Sequence, residues 1–93
     1  MGFTWDSKKA AANLKKHKVS FEEATSVFFD SLAKLTHDPD HSEDEERYII
    51  VGHSHNHNLL FVVHIYRESS DVIRIISARK ATRKEKRDFE EIS

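Results

Sequence analysis

Arg74-Ile-Ile-Ser-Ala-Arg-Lys-Ala-Thr-Arg-Lys-Glu-Lys-Arg87 opens as an apolar strand and turns, with no linker, into a cationic segment. The apolar half reads as the last strand, Val72 to Arg79. Thr82-Arg83-Lys84-Glu85 then has capping-box spacing, in which a Thr hydroxyl and a Glu carboxylate satisfy each other's free backbone N–H groups. That spacing opens a terminal helix with Phe89 and Ile92 inward. Seven Lys/Arg and one acid, Glu85, lie between Arg74 and Arg87, in a chain whose net charge is −1. The charge is therefore segregated. A basic cluster launched from the end of a buried strand is a rigidly held anion site, and RNA phosphate is a natural ligand for one.

Upstream, Arg47 to His53 and Asn58 to Tyr66 are strand-like and joined by the polar Ser54-His55-Asn56-His57, which predicts a hairpin. Glu68 to Asp71 is the next turn. Leu32 to Thr36 is a short strand candidate, followed by the turn Asp38-Pro39-Asp40-His41-Ser42. Nearer the start, Phe3 to Trp5 reads as a strand and Asp6 as the N-cap of a helix over Lys8 to His17. Ala10, Leu14 and His17 fall on one side of that helix, and Lys9, Asn13 and Lys16 on another. Ser20-Phe21-Glu22-Glu23 is a second capping box and starts a helix ending near Asp30, with Phe21, Ala24, Val27 and Phe28 as its apolar stripe. The order is strand, two helices, four strands, helix. This is an α+β fold with a mostly antiparallel meander.

Ninety-three residues fit one domain, 1–93. There is no Cys, which excludes disulfides, thiolate catalysis and thiolate metal sites. No signal-like apolar stretch opens the chain, and its longest apolar run, Leu59 to Val63, is too short to span a bilayer. The expected setting is the cytoplasm. Two basic blocks, Lys8 to Lys18 and Arg74 to Arg87, flank an acidic one that holds Asp38, Asp40, Glu43, Asp44, Glu45 and Glu46. Solvated loops and helix faces explain any one block. Together they suggest a nucleic-acid face set apart from a face that meets a basic partner.

Phe3-x-Trp5-Asp6, Lys9-x-x-x-Asn13, Lys16-His17-x-Val19-Ser20-Phe21-Glu22-Glu23-Ala24, Asp38, Glu45-Glu46-Arg47 and Ile73-Arg74-Ile75-Ile76-Ser77-Ala78-Arg79-x-Ala81-Thr82 together resemble the BrnT family. These are toxins of bacterial toxin–antitoxin pairs. The resemblance runs from Phe3 to about Glu90. It implies a RelE-like ribonuclease fold that cleaves RNA without a metal or other cofactor. It also implies a cognate BrnA-type antitoxin with a ribbon-helix-helix part, through which the pair reaches operator DNA. One position departs: Lys18 stands where the family has Gly, as a left-handed C-cap prefers.

Cleavage through the 2′-hydroxyl needs a base, an acid for the leaving 5′-oxygen, and positive charge on the phosphorane. An Arg fork grips two phosphate oxygens and stays cationic. Arg79, at a strand end, is the candidate phosphorane stabiliser. Alternation puts it on the face of Ile73, Ile75 and Ser77, with Arg74 opposite. His64 is the candidate acid or base, since imidazole titrates near neutrality; a buried His bonded to backbone is the competing reading. Glu46-Arg47 pairs a carboxylate with a cation, although a charged strand entrance explains it too. Lys9, Lys16, Arg74, Lys80, Arg83 and Lys84 are candidates for gripping the RNA backbone. Trp5 suits base stacking or the core. His53-x-His55-x-His57 has alternating spacing but crosses a turn signal and lacks a completing shell, so no metal is expected. The alternative to an enzyme is a non-catalytic, nucleic-acid- or protein-binding subunit of a repressor complex.

Overall fold

The computed structural model describes residues 1–39 and 46–91. Its elements are β1 (Gly2–Thr4), α1 (Ser7–His17), α2 (Phe21–Ser26), a 3-10 turn (Val27–Phe29), β2 (Lys34–His37), β3 (Arg47–His53), β4 (Leu59–Arg67), β5 (Val72–Lys80) and α3 (Arg83–Glu91). The sheet order is β1-β5-β4-β3-β2. Strands β2 to β5 form the antiparallel meander, and β1 joins its edge parallel to β5. The fold is α+β. Within the acidic block, Asp40, Glu43, Asp44 and Glu45 lie outside the described residues, as do part of the turn after Pro39 and the inward position given to Ile92.

Helices α1 and α2 cover one face of the sheet, here the helix face. Val19, Phe21, Ala24 and Val27 meet Leu60, Val62, Ile75 and Ala78 there, all at most 1 % exposed. Both helix starts are capped as expected, Asp6 accepting from the Lys8 N–H at 3.2 Å and Ser20 from the Glu23 N–H at 3.0 Å. The second box is only half closed. Glu23 turns away and takes the Ser54 hydroxyl at 2.6 Å and the Asn58 amide at 2.9 Å, tying α2 to the β3–β4 turn. Burial pushes its carboxyl up, and hydrogen bonds from Ser54, Asn58 and Asn56 outweigh that, so it stays below the ordinary value. The helix expected to run to Asp30 tightens to 3-10 geometry at Val27.

Two expected orientations are corrected. Leu14 is 49 % exposed, and Asn13, expected on the cationic side, is 8 % exposed. The cause is a gap at the sheet edge, because β1 pairs with β5 only as far as Arg74. Beyond it, Asn13 acts as a substitute strand: its amide donates to Ala78 O at 2.8 Å and its Oδ1 accepts the Ala78 N–H at 3.1 Å. A buried peptide group needs such a partner. The other correction is in β5. His64 pairs with Ile75 and Val63 with Ser77, so Ile76 has no partner. One extra residue in a ladder reverses the alternation beyond it. Ala78 therefore joins Ile73 and Ile75 in the core, while Ser77 and Arg79 turn to the face of Arg74.

Candidate nucleic-acid interface

The face away from α1 and α2 is built in rows. Lys34, Val51, Phe61 and Arg79 make one row, Thr36, Ile49, Val63 and Ser77 the next, and Arg47, Ile65 and Arg74 the third. Each row is apolar in its middle. Helix α3 lies over the first row, with Phe89 and Glu85 facing Lys34 and Val51 across a recess of about 190 Å³. The β5 bulge brings Arg79 to this face beside Arg74, and strand pairing adds Arg47.

Arg79 lies over the Phe61 ring, 4.1 Å from its centroid. Its Nη1 and Nη2 donate to the two Glu85 oxygens at 2.7 and 2.9 Å, and Nη1 also donates to Lys80 O at 3.2 Å. Glu85 in turn accepts the Thr82 N–H at 2.8 Å, closing the capping box. These bonds, those from Arg79 first, hold the Glu85 carboxyl below its ordinary value. A guanidinium has five N–H donors, so among the described residues the Nε–H and the outer Nη2–H of Arg79 have no partner.

Arg47 and Arg74 differ from Arg79. They flank Ile65 on adjacent strands, two strand spacings or about 10 Å apart at the backbone. Neither has a carboxylate partner among the described residues, and Arg47 Nε is buried with no hydrogen bond. Two Arg side chains based so far apart reach a common anion between them.

The four catalytic candidates do not converge. His64 is on the helix face, 3 % exposed. Its ring meets Phe28 edge-on at 4.8 Å and stacks towards Tyr48 at 6.0 Å. Burial pushes its pKa down to about 4, so it is neutral at pH 7. Glu46 is exposed, accepts the Tyr48 hydroxyl at 2.9 Å and lies 4.0 Å from His37 Nε2. It is five residues along β3 from the row of Arg79, about 17 Å. The structure thus keeps Arg47 and Arg74 at one end of this face and Arg79 at the other, with the Glu46 carboxylate across the sheet on the side of Tyr48.

The remaining candidates frame this face. Lys9 and Lys16 are exposed on α1, beside a groove of about 250 Å³ shared with Asn13, His17, Ile76 and Ser77. Lys80, Arg83 and Lys84 are exposed around the start of α3. Trp5 packs on Phe21 at 5.9 Å, as a core residue does. His53 ends β3 against Asp30 and Phe89, while His55 and His57 are in the turn. Among the described residues no three His, Asp or Glu side chains gather in a metal-sized group. Sequence reading missed His37, Tyr48 and Phe61, whose roles depend on strand register, and the clamp by Glu85, whose capping position alone was legible.

The crystal structure of the Brucella abortus ribonuclease toxin BrnT superposes with a TM-score of 0.67 at 21% identity, over 89% of this chain and 99% of that one, which shows a shared fold. No curated protein matches the sequence. The family model described as the ribonuclease toxin BrnT of type II toxin–antitoxin systems matches residues 5–85. With α1, α2 and strands β2 to β5 inside that match, the chain belongs to the BrnT family of ribonuclease toxins.

Proposed function

We propose that this toxin is a metal-independent endoribonuclease whose 1–93 domain binds RNA across the arginine face. The observation that carries the proposal is the Arg47–Arg74 pair: two cations without carboxylate partners among the described residues, one with a buried, unbonded Nε. An Arg fork grips phosphate through several N–H donors, and a phosphate oxygen between the two side chains meets their outer N–H groups, the Arg47 Nε itself being buried. In this reading they stabilise the phosphorane. Arg79 grips a neighbouring phosphate with its open edge, and Lys9, Lys16, Lys80, Arg83 and Lys84 guide the backbone. Glu46 and His37 sit across the sheet on the side of Tyr48, so in this reading solvent takes the 2′-hydroxyl proton and returns one to the leaving 5′-oxygen. The products are a 2′,3′-cyclic phosphate and a 5′-hydroxyl. His64 supports Tyr48 from beneath. Such an enzyme works where RNA is, in the cytoplasm, and is silenced by a BrnA-type ribbon-helix-helix antitoxin whose carboxylates cover the arginines. That antitoxin carries the pair to operator DNA.

The test is bare RNA, purified chain and excess chelator. Wild type should cut and leave cyclic-phosphate ends. Arg47→Ala and Arg74→Ala should each lower the rate by on the order of a hundredfold, with unchanged circular dichroism. Intact RNA with wild type would leave a binding subunit of a repressor complex as the better reading. Full activity of both variants would move the chemistry elsewhere on the face.

A further inference from the structure

The helix face is only partly covered. Beyond the 3-10 turn, Phe28, Leu35, Tyr48, His64 and Tyr66 line an open groove of about 290 Å³. Leu35 is 60 % exposed and Tyr66 42 % exposed in its lining. Isolated apolar residues on a surface are ordinary; a lined groove with several at its margin marks a contact site. The rim is anionic. The Tyr48 hydroxyl donates to Glu46 at 2.9 Å and the Tyr66 hydroxyl to Asp71 at 3.0 Å, with Glu68 exposed in the same turn as Asp71; the Met1 ammonium also meets Asp71, at 3.1 Å, so Glu46 and Glu68 carry most of the rim's charge. Those carboxylates raise both phenol pKa values, so the hydroxyls stay protonated and hold the charges at the rim.

This chemistry repels RNA phosphate. It suits a protein segment that seats a bulky apolar side chain between Lys or Arg residues, as one face of an amphipathic helix does. We propose that the groove docks a basic amphipathic segment of the partner antitoxin, on the side of the sheet opposite the arginines. The identity of the partner rests on the toxin reading; the groove's preference for an apolar, basic segment does not. Two faces gripped by one partner would hold the complex even where RNA competes for the arginines.

The experiment is calorimetric titration of the full chain with the antitoxin encoded beside it, for wild type, Leu35→Glu and Asp71→Asn. Leu35 is an exposed residue of the edge strand, so its replacement should leave the fold intact. Leu35→Glu should weaken binding at least tenfold and Asp71→Asn severalfold. The readout is binding, so it stands whether or not the chain proves to cut RNA. Wild-type affinity in Leu35→Glu overturns the proposal, as does the absence of binding by wild type. Light scattering on the free chain covers the other occupant: a dimer that Leu35→Glu dissociates would assign the groove to a second copy. Photocrosslinking of RNA to Tyr48 or Tyr66 would overturn it as well.

Discussion

At the residue scale, Arg79 is a cation whose fork is closed by its own chain. Glu85 holds two of its N–H groups and Phe61 one face of the guanidinium. Both partners are partly exposed, so the pair contributes on the order of 1 kcal/mol, discounted for solvent screening. Its larger effect is on the ligand, because a carboxylate at that distance repels phosphate. Glu85→Gln should therefore lower KM for RNA severalfold while costing a little thermal stability; an unchanged KM would mean that no phosphate visits Arg79. His64 gives a separate test. Its pKa falls from 6.5 to about 4 on folding, chiefly by burial. Folding thus gains fully from the neutral ring above pH 6.5, and the gain is lost as pH falls towards 4, because the unfolded chain binds the proton first. By pH 4.5 linkage makes the loss roughly 2.5 kcal/mol. The depressed carboxyls of Glu23, Asp30, Asp71 and Glu85 add their losses only as pH falls below their ordinary values of 4.5 and 3.8. Urea melts at pH 7.5 and 4.5 should show a drop in wild type that His64→Phe largely removes. An equal drop in both would mean the ring is not desolvated.

At the element scale, what was legible in the sequence is local and what was not is register. The Asp6, Ser20 and Thr82 caps, the Arg47–His53 strand and the meander follow from side chains that act within a few residues. The face of Arg79 does not, because the Ile76 bulge is set by how β4 pairs with β5. Strict alternation from Ile73 placed Arg79 in the core face, and one unpaired residue moved it across the sheet. The same limit applies to Asn13, whose burial depends on β1 ending at Thr4. It also scattered the catalytic candidates: Glu46 and Arg47 are neighbours in the chain but turn to opposite faces of the sheet, and His64 and Arg79 are likewise on opposite faces. Lys18 was legible. It sits at φ 61°, ψ 25° as the left-handed cap of α1, its N–H bonded to Leu14 O at 2.9 Å. A side chain there costs about 1–2 kcal/mol. Glycine removes that strain but adds unfolded-chain freedom worth roughly 0.5–1 kcal/mol. Lys18→Gly should raise the melting temperature by a few degrees; a decrease would show that the lysine side chain is stabilising the corner.

At the scale of the whole molecule, a net charge of −1 conceals a dipolar surface. Lys9 and Lys16 of α1, the β5 end and the start of α3 are cationic, while Glu46, Glu68 and Asp71 edge the groove on the helix face. Function then depends on where charge lies and not on its sum, and RNA affinity should follow salt as it does for a basic protein. For single strands, the slope of log affinity against log salt is about −0.7 per phosphate neutralised. One phosphate shared by Arg47 and Arg74, one at Arg79 and one each at Lys9, Lys16, Lys80, Arg83 and Lys84 would give a slope of about −5. Removing the two lysines separates guidance from chemistry, because they lie along the bulged edge of β5 and not between Arg47 and Arg74. The double variant Lys9→Gln, Lys16→Gln should reduce the slope by about 1.4 and raise KM at 150 mM salt, with kcat retained. Cleavage kinetics across a salt series measures both quantities. If the slope is unchanged, α1 is a solvated helix face and the RNA path crosses the sheet elsewhere. If kcat falls with KM unchanged, the lysines act on the transition state, and the reacting phosphate lies at the Ile76 bulge and not between the two arginines.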